Sequence, residues 1–310
     1  ALAAVQPDVL VFLETEIWPA WIFEARRLKI KTALVNGRIS SRSVGRYRKF
    51  RPFFRQVLKN FDRLSMISEA DAARIRSMGA EPGKICVSGN AKFDLLRRAA
   101  EPGLREEMQE ALNLEPSSKV LVAGSIRKGE TAPVLDAYQE ILAAFPQAVL
   151  IMAPRHLVRV PAILEHIRRR GLGYHLRTQL DGRNRRRREQ VVVLDTFGEL
   201  FKIYSLASVV FCGGSLVPLG GQNPLEPAVW GKPVCYGPSM ENFLDAKQLL
   251  EAAGAGKEIS GPRMLAQWTT ELLGDPEQME KTGLSGRNAI LANSGAALRH
   301  ARVIQSLIEG

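Results

Sequence analysis

The chain has 310 residues, of which 45% are hydrophobic and 24% are charged. This length and balance argue against a disordered chain or a small disulfide scaffold, and they are sufficient for two domains with substantial cores. The formal net charge of +11 favours an anionic partner: nucleic acid, phospholipid headgroups or a phosphorylated substrate. The three cysteines lie in or beside apolar runs, which is typical of reduced core residues in a cytosolic protein.

Apolar runs alternate with segments of helical periodicity, the pattern of parallel strands joined by crossover helices. In the first part of the chain we predict strands at residues 8–13, 31–35, 64–68 and 84–88. Between them we predict helices from about residue 19, over 40–61 and over 69–78. A polar connecting segment follows at about 95–118. No apolar run approaches the ~20 residues that cross a bilayer.

A second unit then begins, and in it we predict strands at residues 120–123, 148–152, 191–194, 209–212 and 233–236. We therefore divide the chain into domains at 1–112 and 113–310, with a C-terminal helix that is able to pack back on the first domain. Since a doubly wound domain carries about six strands, the four strands of the first domain predict that its beginning is missing.

The strongest motif follows the strand that ends at Cys212. It consists of Gly213-Gly214-Ser215 and then Gly220-Gly221-Gln222-Asn223-Pro224-Leu225-Glu226-Pro227. Asn223 is placed to cap a helix whose first turn contains Pro224, and the free N–H groups of such a terminus favour a phosphate. Glu226 in the same turn can accept two hydrogen bonds from a ribose diol. An ordinary strand–loop–helix connection is the alternative interpretation.

Three other predicted strand ends would meet this motif, because ligands of open α/β sheets bind at the carboxyl ends of the strands. Pro154 and Arg155 follow one strand, and Arg155 is suited to clamp a phosphate or carboxylate. The Phe197-Gly198-Glu199 segment follows another, and Gly124-Ser125 a third. Taken alone, Arg155 is equally consistent with a surface arginine after a strand, and the Phe197-Gly198-Glu199 segment is more typical of a capped helix start.

Together these motifs resemble the 3-deoxy-D-manno-octulosonic acid (Kdo) transferases. The resemblance extends over the whole chain and includes Glu14-Thr15-Glu16-Ile17-Trp18-Pro19, Asn36-Gly37-Arg38-Ile39-Ser40 and Gly89-Asn90-Ala91-Lys92-Phe93-Asp94. It implies an α/β fold of the GT-B glycosyltransferase type, with two Rossmann-like domains facing across a cleft and the N-terminal one incomplete.

The resemblance also implies an activity: inverting transfer of Kdo from the donor CMP-Kdo to the lipid A precursor lipid IVA, in lipopolysaccharide biosynthesis, with neither metal nor other cofactor. The implied transition-state stabilisers are Glu16 and Lys92. The implied CMP-binding residues are Pro154, Arg155, Phe197, Gly198, Glu199, Asn223, Pro224, Leu225 and Glu226. The further donor-loop candidates are Gly124, Ser125, Gly214 and Ser215.

Two features leave alternatives open. The family's general base is a glutamate in a segment that would precede Glu14, and this chain begins after that segment. A non-catalytic nucleotide- or lipid-binding remnant is therefore one alternative, and a GT-B enzyme that uses a UDP-sugar is another. A basic nucleic-acid-binding protein is a third, but the sequence has no recognition module, so we expect no nucleic acid partner.

Residues 42–63 combine many cations with aromatic residues: Arg42, Arg46, Tyr47, Arg48, Lys49, Phe50, Arg51, Phe53, Phe54, Arg55, Lys59 and Arg63. Such a segment suits an anionic membrane surface, each cation contributing ~1 kcal/mol near the headgroups. Alternatively, the aromatic residues pack into the core and the basic face is solvated. With the family resemblance, we predict association with the cytoplasmic face of the bacterial inner membrane.

Overall fold

The computed structural model describes residues 1–101, 103–180 and 187–309, and within these ranges the side chains of all residues except 41, 42 and 98. The protein is an α/β chain that divides into two compact units. Unit 1 comprises residues 1–97 and 293–310, and unit 2 comprises residues 98–292. No helix among the described residues is long and apolar enough to cross a membrane.

The strands and helices follow one another in the alternating order expected from the sequence. The strands are β1 (Val9–Leu13), β2 (Lys31–Gly37), β3 (Arg63–Met66), β4 (Ile85–Val87), β5 (Val120–Ile126), β6 (Val149–Pro154), β7 (Tyr174–Leu176), β8 (Val191–Val193), β9 (Val209–Cys212), β10 (Val234–Tyr236) and β11 (Gly256–Glu258). The α-helices are α1 (Leu2–Val5), α2 (Pro19–Arg27), α3 (Ser41–Lys49), α4 (Arg51–Lys59), α5 (Glu69–Ser77), α6 (Lys92–Ala99), α7 (Gly103–Leu112), α8 (Thr131–Ala144), α9 (Val160–Arg169), α10 (Leu200–Ile203), α11 (Leu225–Ala228), α12 (Leu244–Ala252), α13 (Pro262–Gly274), α14 (Pro276–Ala292) and α15 (Ala296–Ile308).

Unit 1 is built on a four-stranded parallel sheet in the order β1-β2-β3-β4. Its core includes Ile22, Leu34, Phe61, Leu64 and Ile75, each fully buried. Strand β2 lies between β1 and β3, and its residues Ala33, Leu34 and Val35 are buried, as expected for an inner strand covered by helices.

The segment predicted as one helix over 40–61 is two helices, α3 and α4, which meet at Phe50. The physical reason is Pro52 in the first turn of α4. In a continuous helix its ring would clash with the carbonyl group of Arg48 and would remove one backbone hydrogen bond. The Ser40 hydroxyl caps α3 by accepting a hydrogen bond from the Ser43 N–H.

Unit 2 is built on a seven-stranded parallel sheet in the order β11-β10-β9-β5-β6-β8-β7. The sequence predicted five of these strands and missed β7 and β11, which have three residues each and form the two edges. After β5 the chain adds β6, β7 and β8 on one side and then crosses to place β9 on the other. The topological switch point of the sheet therefore lies between β5 and β9.

The two units do not divide at the predicted boundary between residues 112 and 113. Helix α7 precedes that boundary but packs against α10 and the turn after it, and so belongs to unit 2. The chain returns to unit 1 at residue 293, and α15 packs against β1, β2 and β3.

Candidate active site

The switch point of unit 2 gathers loops that the sequence singled out. Gly124 and Ser125 lie near the carboxyl end of β5, Arg155 follows β6, and Gly213 follows β9. The Gly213 N–H donates to the Gly124 carbonyl group, and the Arg155 N–H donates to the Ile126 carbonyl group, at 2.8 and 3.1 Å. Since these segments are hydrogen-bonded to one another, each restrains the position of its neighbour.

A buried carboxylate, which the sequence interpretation missed, holds two of these loops together. Glu130 is fully buried and precedes α8. One oxygen accepts hydrogen bonds from the N–H groups of Arg127 and Gly214 at 2.8 and 2.6 Å. The other accepts from the N–H groups of Ser215 and Leu216 at 2.9 and 3.0 Å. Four backbone donors compensate the buried charge, and in return the carboxylate fixes the loop.

The donor-loop candidates in the glycine-rich loop have their amides occupied within the protein. The amides of Gly214 and Ser215 already have the Glu130 carboxylate as their partner, and Ser215 is fully buried. A Cβ atom at Gly124 would lie 2.1 Å from the hydroxyl oxygen of Tyr204, so that glycine is required by packing. These candidates, with the buried Ser125, shape the floor of the site from inside the protein.

The Asn223–Glu226 segment is more open to a ligand. The Asn223 side chain donates to a Glu226 carboxylate oxygen at 3.2 Å and accepts from the Leu225 N–H at 3.2 Å. Burial raises the pKa of Glu226, while the Asn223 hydrogen bond and the positive charge of Arg155 act in the opposite direction. Helix α11 has only four residues, so its dipole contributes less to anion binding than a long helix would.

The rim of this site is cationic. Arg155 is exposed and close enough to Glu226 to affect its titration. Arg127 directs its Nη1 atom to within 2.6 Å of the His156 Nε2 atom, and its own Nε atom is buried without a hydrogen-bond partner. The arrangement offers two guanidinium groups to an anion beside one carboxylate that can accept hydroxyl donors.

In the Phe197–Glu199 segment, the carboxylate is bound within the protein and the aromatic ring is exposed. The Glu199 carboxylate forms an ion pair with Arg177 at 3.1 Å and accepts a hydrogen bond from the Thr196 hydroxyl. Phe197 is 89% exposed, and Gly198 has φ of +90°. Glu199 thus anchors the loop within the protein, and the aromatic ring and the backbone at its tip are the groups available to a ligand.

In unit 1, Lys92 is paired with a residue that the sequence did not single out. Its Nζ atom lies 3.4 Å from a carboxylate oxygen of Glu14, and both side chains are about half exposed. Glu14 has φ of +55°, a backbone conformation that costs a non-glycine residue of order 1 kcal/mol. Glu16 is exposed and forms no ion pair with Lys92.

The loop before Lys92 is held by a buried polar cluster. The Asn36 side-chain oxygen accepts from the Ala91 N–H at 3.0 Å. On α15, His300 Nε2 lies 2.9 Å from the Gly89 carbonyl oxygen, and its Nδ1 lies 2.8 Å from the Ser65 hydroxyl. Asp94 accepts from the Gly295 and Ala297 N–H groups at the start of α15. The C-terminal helix thus supports the motif that carries Lys92.

Known proteins are similar in sequence to this chain over most of its length. A family model described as 3-deoxy-D-manno-octulosonic-acid transferase (kdotransferase) matches residues 1–95. A 3-deoxy-D-manno-octulosonic acid transferase from Bordetella pertussis is 31% identical over 301 residues, covering 96% of this chain and 69% of the relative. The chain belongs to this family.

This Kdo transferase family member spans only part of the length of its curated relatives, 71% of one from Haemophilus influenzae for example. A bifunctional glycosyltransferase/methyltransferase from Fusobacterium nucleatum is 36% identical over 250 residues, but this chain covers only 38% of it. Among solved structures, the C-terminal CMP-Kdo binding domain of WaaA from Acinetobacter baumannii matches with a TM-score of 0.55 and 25% identity, covering 64% of this chain and 98% of that domain.

The predicted fold class is also confirmed, whereas the incompleteness of the N-terminal domain stays a prediction. Anabaena HepE in complex with UDP matches 99% of this chain and 80% of its own with a TM-score of 0.60, at 12% identity. At that identity the match concerns the fold alone. It agrees with the two parallel sheets of the GT-B class that the family resemblance implied.

Among the described residues of this family member, no group of three or more His, Cys, Asp or Glu side chains is arranged to hold a metal ion.

Two residues missed by sequence interpretation, Glu130 and Glu14, contact motif residues directly. Glu14 was visible in the Glu-Thr-Glu motif. Glu130 lies in a polar segment whose pattern gives no sign that its carboxylate is buried.

Proposed function

We propose that this chain transfers Kdo from CMP-Kdo to a lipid A precursor, and that unit 2 binds the CMP moiety. The match to nearly the whole CMP-Kdo binding domain of WaaA is the observation that carries this proposal. It covers 64% of this chain, a share as large as that of unit 2. The Arg155, Asn223 and Glu226 cluster at the switch point supplies the matching chemistry.

In this proposal a cationic side chain and an anionic side chain recognise different parts of the donor. Arg155 is exposed and contacts the phosphate bidentately, while Glu226, oriented by Asn223, accepts hydrogen bonds from the ribose hydroxyls. Phe197 offers an exposed ring beside the nucleotide. Because a cytidine monophosphate is the leaving group, the arginine also stabilises the negative charge that develops on the phosphate during transfer.

We assign the acceptor side of the reaction to unit 1. Lys92 stabilises negative charge on the sugar-acid carboxylate or on the departing phosphate, and Glu16 orients the acceptor hydroxyl. The ion pair with Glu14 supports the proposed role of Lys92 by restraining its ammonium group. The displacement inverts the anomeric carbon without a resident cofactor: the acceptor oxygen bonds to that carbon as the carbon's bond to the CMP phosphate breaks. The proton of the acceptor hydroxyl passes to a general base that is not among the residues named here.

We also propose that α3 and α4 contact the anionic cytoplasmic face of the bacterial inner membrane, where lipid IVA is the acceptor. The aromatic residues of this segment divide into two groups. Tyr47 and Phe54 pack against the core, whereas Phe50 and Phe53 are 60% and 50% exposed. Exposed phenylalanines, Phe50 at the junction of two basic helices and Phe53 within α4, support insertion at a headgroup surface. The predicted Arg42 side chain lies outside the described residues.

Calorimetric titration with CMP and, in parallel, UMP tests the donor assignment. We expect saturable CMP binding, weaker UMP binding, and at least a tenfold loss of CMP affinity in Asn223→Ala or Glu226→Ala. Glu271→Ala, an exposed change on α13, is the matched control and should bind CMP as the parent does. Tighter binding of UMP would favour a UDP-sugar enzyme, and a folded chain without CMP binding would refute the proposal.

A transfer assay with CMP-Kdo and lipid IVA tests the catalytic half of the proposal. We expect Lys92→Ala to lower kcat strongly while CMP affinity in unit 2 is retained. Full CMP binding without transfer by the parent chain would instead support the non-catalytic alternative.

A further inference from the structure

The rim of the candidate site contains an arginine to which the proposed function gives no role. Arg127 follows β5, and its Cγ atom would lie 3.5 Å from a Cβ atom placed at Gly214. The Nε2 atom of Gln222 would lie at the same distance from that position. The Arg127 side chain therefore extends along the glycine-rich loop, on the side where the chain continues to Asn223 and Glu226.

The guanidinium group of Arg127 is held in place without being satisfied. Its Nη1 atom donates to His156 Nε2 at 2.6 Å, and that nitrogen is the acceptor because a guanidinium group can only donate. The Nε atom is buried without a hydrogen-bond partner. The nearby Glu130 carboxylate accepts the backbone N–H of Arg127 and three further backbone N–H groups. Since buried donors are rarely left unpaired, this group is arranged for an acceptor from a ligand.

A second guanidinium group belongs to the adjacent segment. The Arg155 N–H donates to the Ile126 carbonyl group at 3.1 Å, so the backbones that carry Arg127 and Arg155 are hydrogen-bonded neighbours. The contact between Arg127 and His156 joins the same two segments through side chains. Two guanidinium groups on neighbouring segments suit a ligand that has two anionic groups close together, each able to accept two hydrogen bonds.

The donor of the proposed function has two such groups. Kdo is a 2-ulosonic acid, so in CMP-Kdo the carboxylate and the phosphate oxygen are bonded to the same carbon, the anomeric one. CMP-Kdo has a single phosphate, which we have assigned to Arg155. The carboxylate is therefore the anion that remains for Arg127, and its two coplanar oxygens match the planar fork of a guanidinium group.

We propose that Arg127 binds the carboxylate of the sugar acid in the donor, with the side-chain amide of Gln222 as a second hydrogen-bond donor beside it. The proposal rests on the proposed function, because the carboxylate is that of Kdo. It makes Arg127 the residue that distinguishes a sugar-acid donor from a donor with a neutral sugar. Of the two roles proposed for Lys92, it leaves the one at the departing phosphate.

The test is calorimetric titration of the full chain, without acceptor, with three ligands. They are CMP, CMP-Kdo and the carboxamide analogue of CMP-Kdo, which keeps the sugar but has no charge at the carboxyl position. The test variant is Arg127→Gln. Lys128→Gln is the matched control, since it removes the same charge from the exposed neighbouring residue, and Arg155→Gln is the comparison for a phosphate ligand. Circular dichroism, expected to be unchanged, establishes that each variant is folded.

We expect Arg127→Gln to weaken binding of CMP-Kdo by roughly ten- to hundredfold, as for the loss of a hydrogen-bonded charge pair. Its affinity for CMP and for the carboxamide should fall by less than about threefold. Arg155→Gln should weaken all three ligands alike, by about tenfold or more, because each contains the phosphate. Lys128→Gln should weaken none of them by more than about threefold.

Equal losses of CMP and CMP-Kdo in Arg127→Gln would overturn the proposal, because Arg127 would then be a phosphate ligand. Equal losses of CMP-Kdo and its carboxamide would overturn it in favour of a contact with the sugar hydroxyls, and unchanged binding of all three would remove Arg127 from the site. In these cases CMP binding by the parent keeps the donor assignment. A parent that binds neither CMP nor CMP-Kdo would refute the donor assignment, and the role of Arg127 with it.

Discussion

At the scale of single residues, Glu130 gives the clearest case of a charge placed for structure. Its carboxylate accepts four backbone hydrogen bonds in a fully buried position. We expect Glu130→Gln to lower the free energy of unfolding by roughly 2–4 kcal/mol, because the amide NH₂ group cannot accept from the N–H groups it would face. Urea denaturation measures this change.

The same substitution should weaken CMP binding, because the loop that follows β9 leads to Asn223 and Glu226. Glu140→Gln, on the exposed face of α8, is the control and should leave both quantities unchanged. If Glu130→Gln unfolded at the same urea concentration as the parent, the carboxylate would not be the group that holds the loops.

The surroundings of His300 predict that the stability of unit 1 depends on pH. Burial lowers its pKa, and the positive charge of Arg299 acts in the same direction, while the Gly89 carbonyl group and Asp94 oppose them. Since the folded-state pKa is below the unfolded value of about 6.5, the unfolded chain binds more protons between the two. Its contribution to stability is complete above about pH 6.5 and is lost as the pH falls through the folded-state pKa.

We therefore expect acidification from neutral pH to speed hydrogen exchange of the α15 amides in the parent chain. In His300→Gln, which cannot titrate, exchange corrected for its intrinsic pH dependence should change less over this interval. His166→Gln, on α9 in unit 2, serves as the control. An identical pH profile for parent and His300→Gln would show that His300 does not titrate in this range.

The residues of the site were predicted unevenly, and the reason is physical. Asn223, Glu226 and Arg155 could be named from the sequence because glycines and prolines mark a turn at a strand end: proline fixes φ, and glycine permits backbone conformations that other residues rarely adopt. Glu130 contacts a loop far away in the chain. The ion pair of Lys92 also joins distant segments, and the sequence does not show whether its partner is Glu14 or the neighbouring Glu16. Local pattern carries no information about such partners.

At the scale of elements, Asp94 connects the Lys92 motif to the C-terminal helix. It accepts hydrogen bonds from the Gly295 and Ala297 N–H groups, so it caps α15 from another part of the chain. We expect Asp94→Ala to destabilise the docking of α15 by about 1–2 kcal/mol, the usual cost of losing a cap. Faster hydrogen exchange over residues 296–308 measures it.

Asp8→Ala, an exposed aspartate before β1, is the matched control and should not change exchange in α15. If α15 were as protected in Asp94→Ala as in the parent, the helix would be held by the His300 contacts and its apolar face alone. The distinction matters because Asp94 and Lys92 both lie on the short helix α6.

Element prediction succeeded where burial was strong. The central strands β2, β5, β6 and β9 are continuous apolar runs because helices cover both faces of a parallel sheet. Edge strands β7 and β11 are partly exposed and have only three residues, so they lack such a run. The break between α3 and α4 was signalled by Pro52, whereas the helical periodicity on either side favoured a single helix.

At the scale of the whole molecule, the division into two units predicts how a ligand changes stability. A ligand that binds only the folded form of a unit stabilises that unit, by about 2.7 kcal/mol at a hundredfold excess over its Kd. The proposed CMP site uses residues of unit 2 alone. We therefore expect CMP to raise the unfolding temperature of unit 2 and to leave that of unit 1 nearly unchanged.

The four tryptophans allow the two units to be observed separately, since Trp18 and Trp21 lie in unit 1 and Trp230 and Trp268 in unit 2. In Trp18→Phe/Trp21→Phe, whose replaced rings are 59% and 48% exposed in the parent, fluorescence reports unit 2 alone. Its thermal midpoint should rise with CMP and not with an equal concentration of UMP. Hydrogen exchange of the β2 amides reports unit 1 and should not respond to CMP. An equal response of both units would mean that they unfold as one, or that residues of unit 1 complete the nucleotide site.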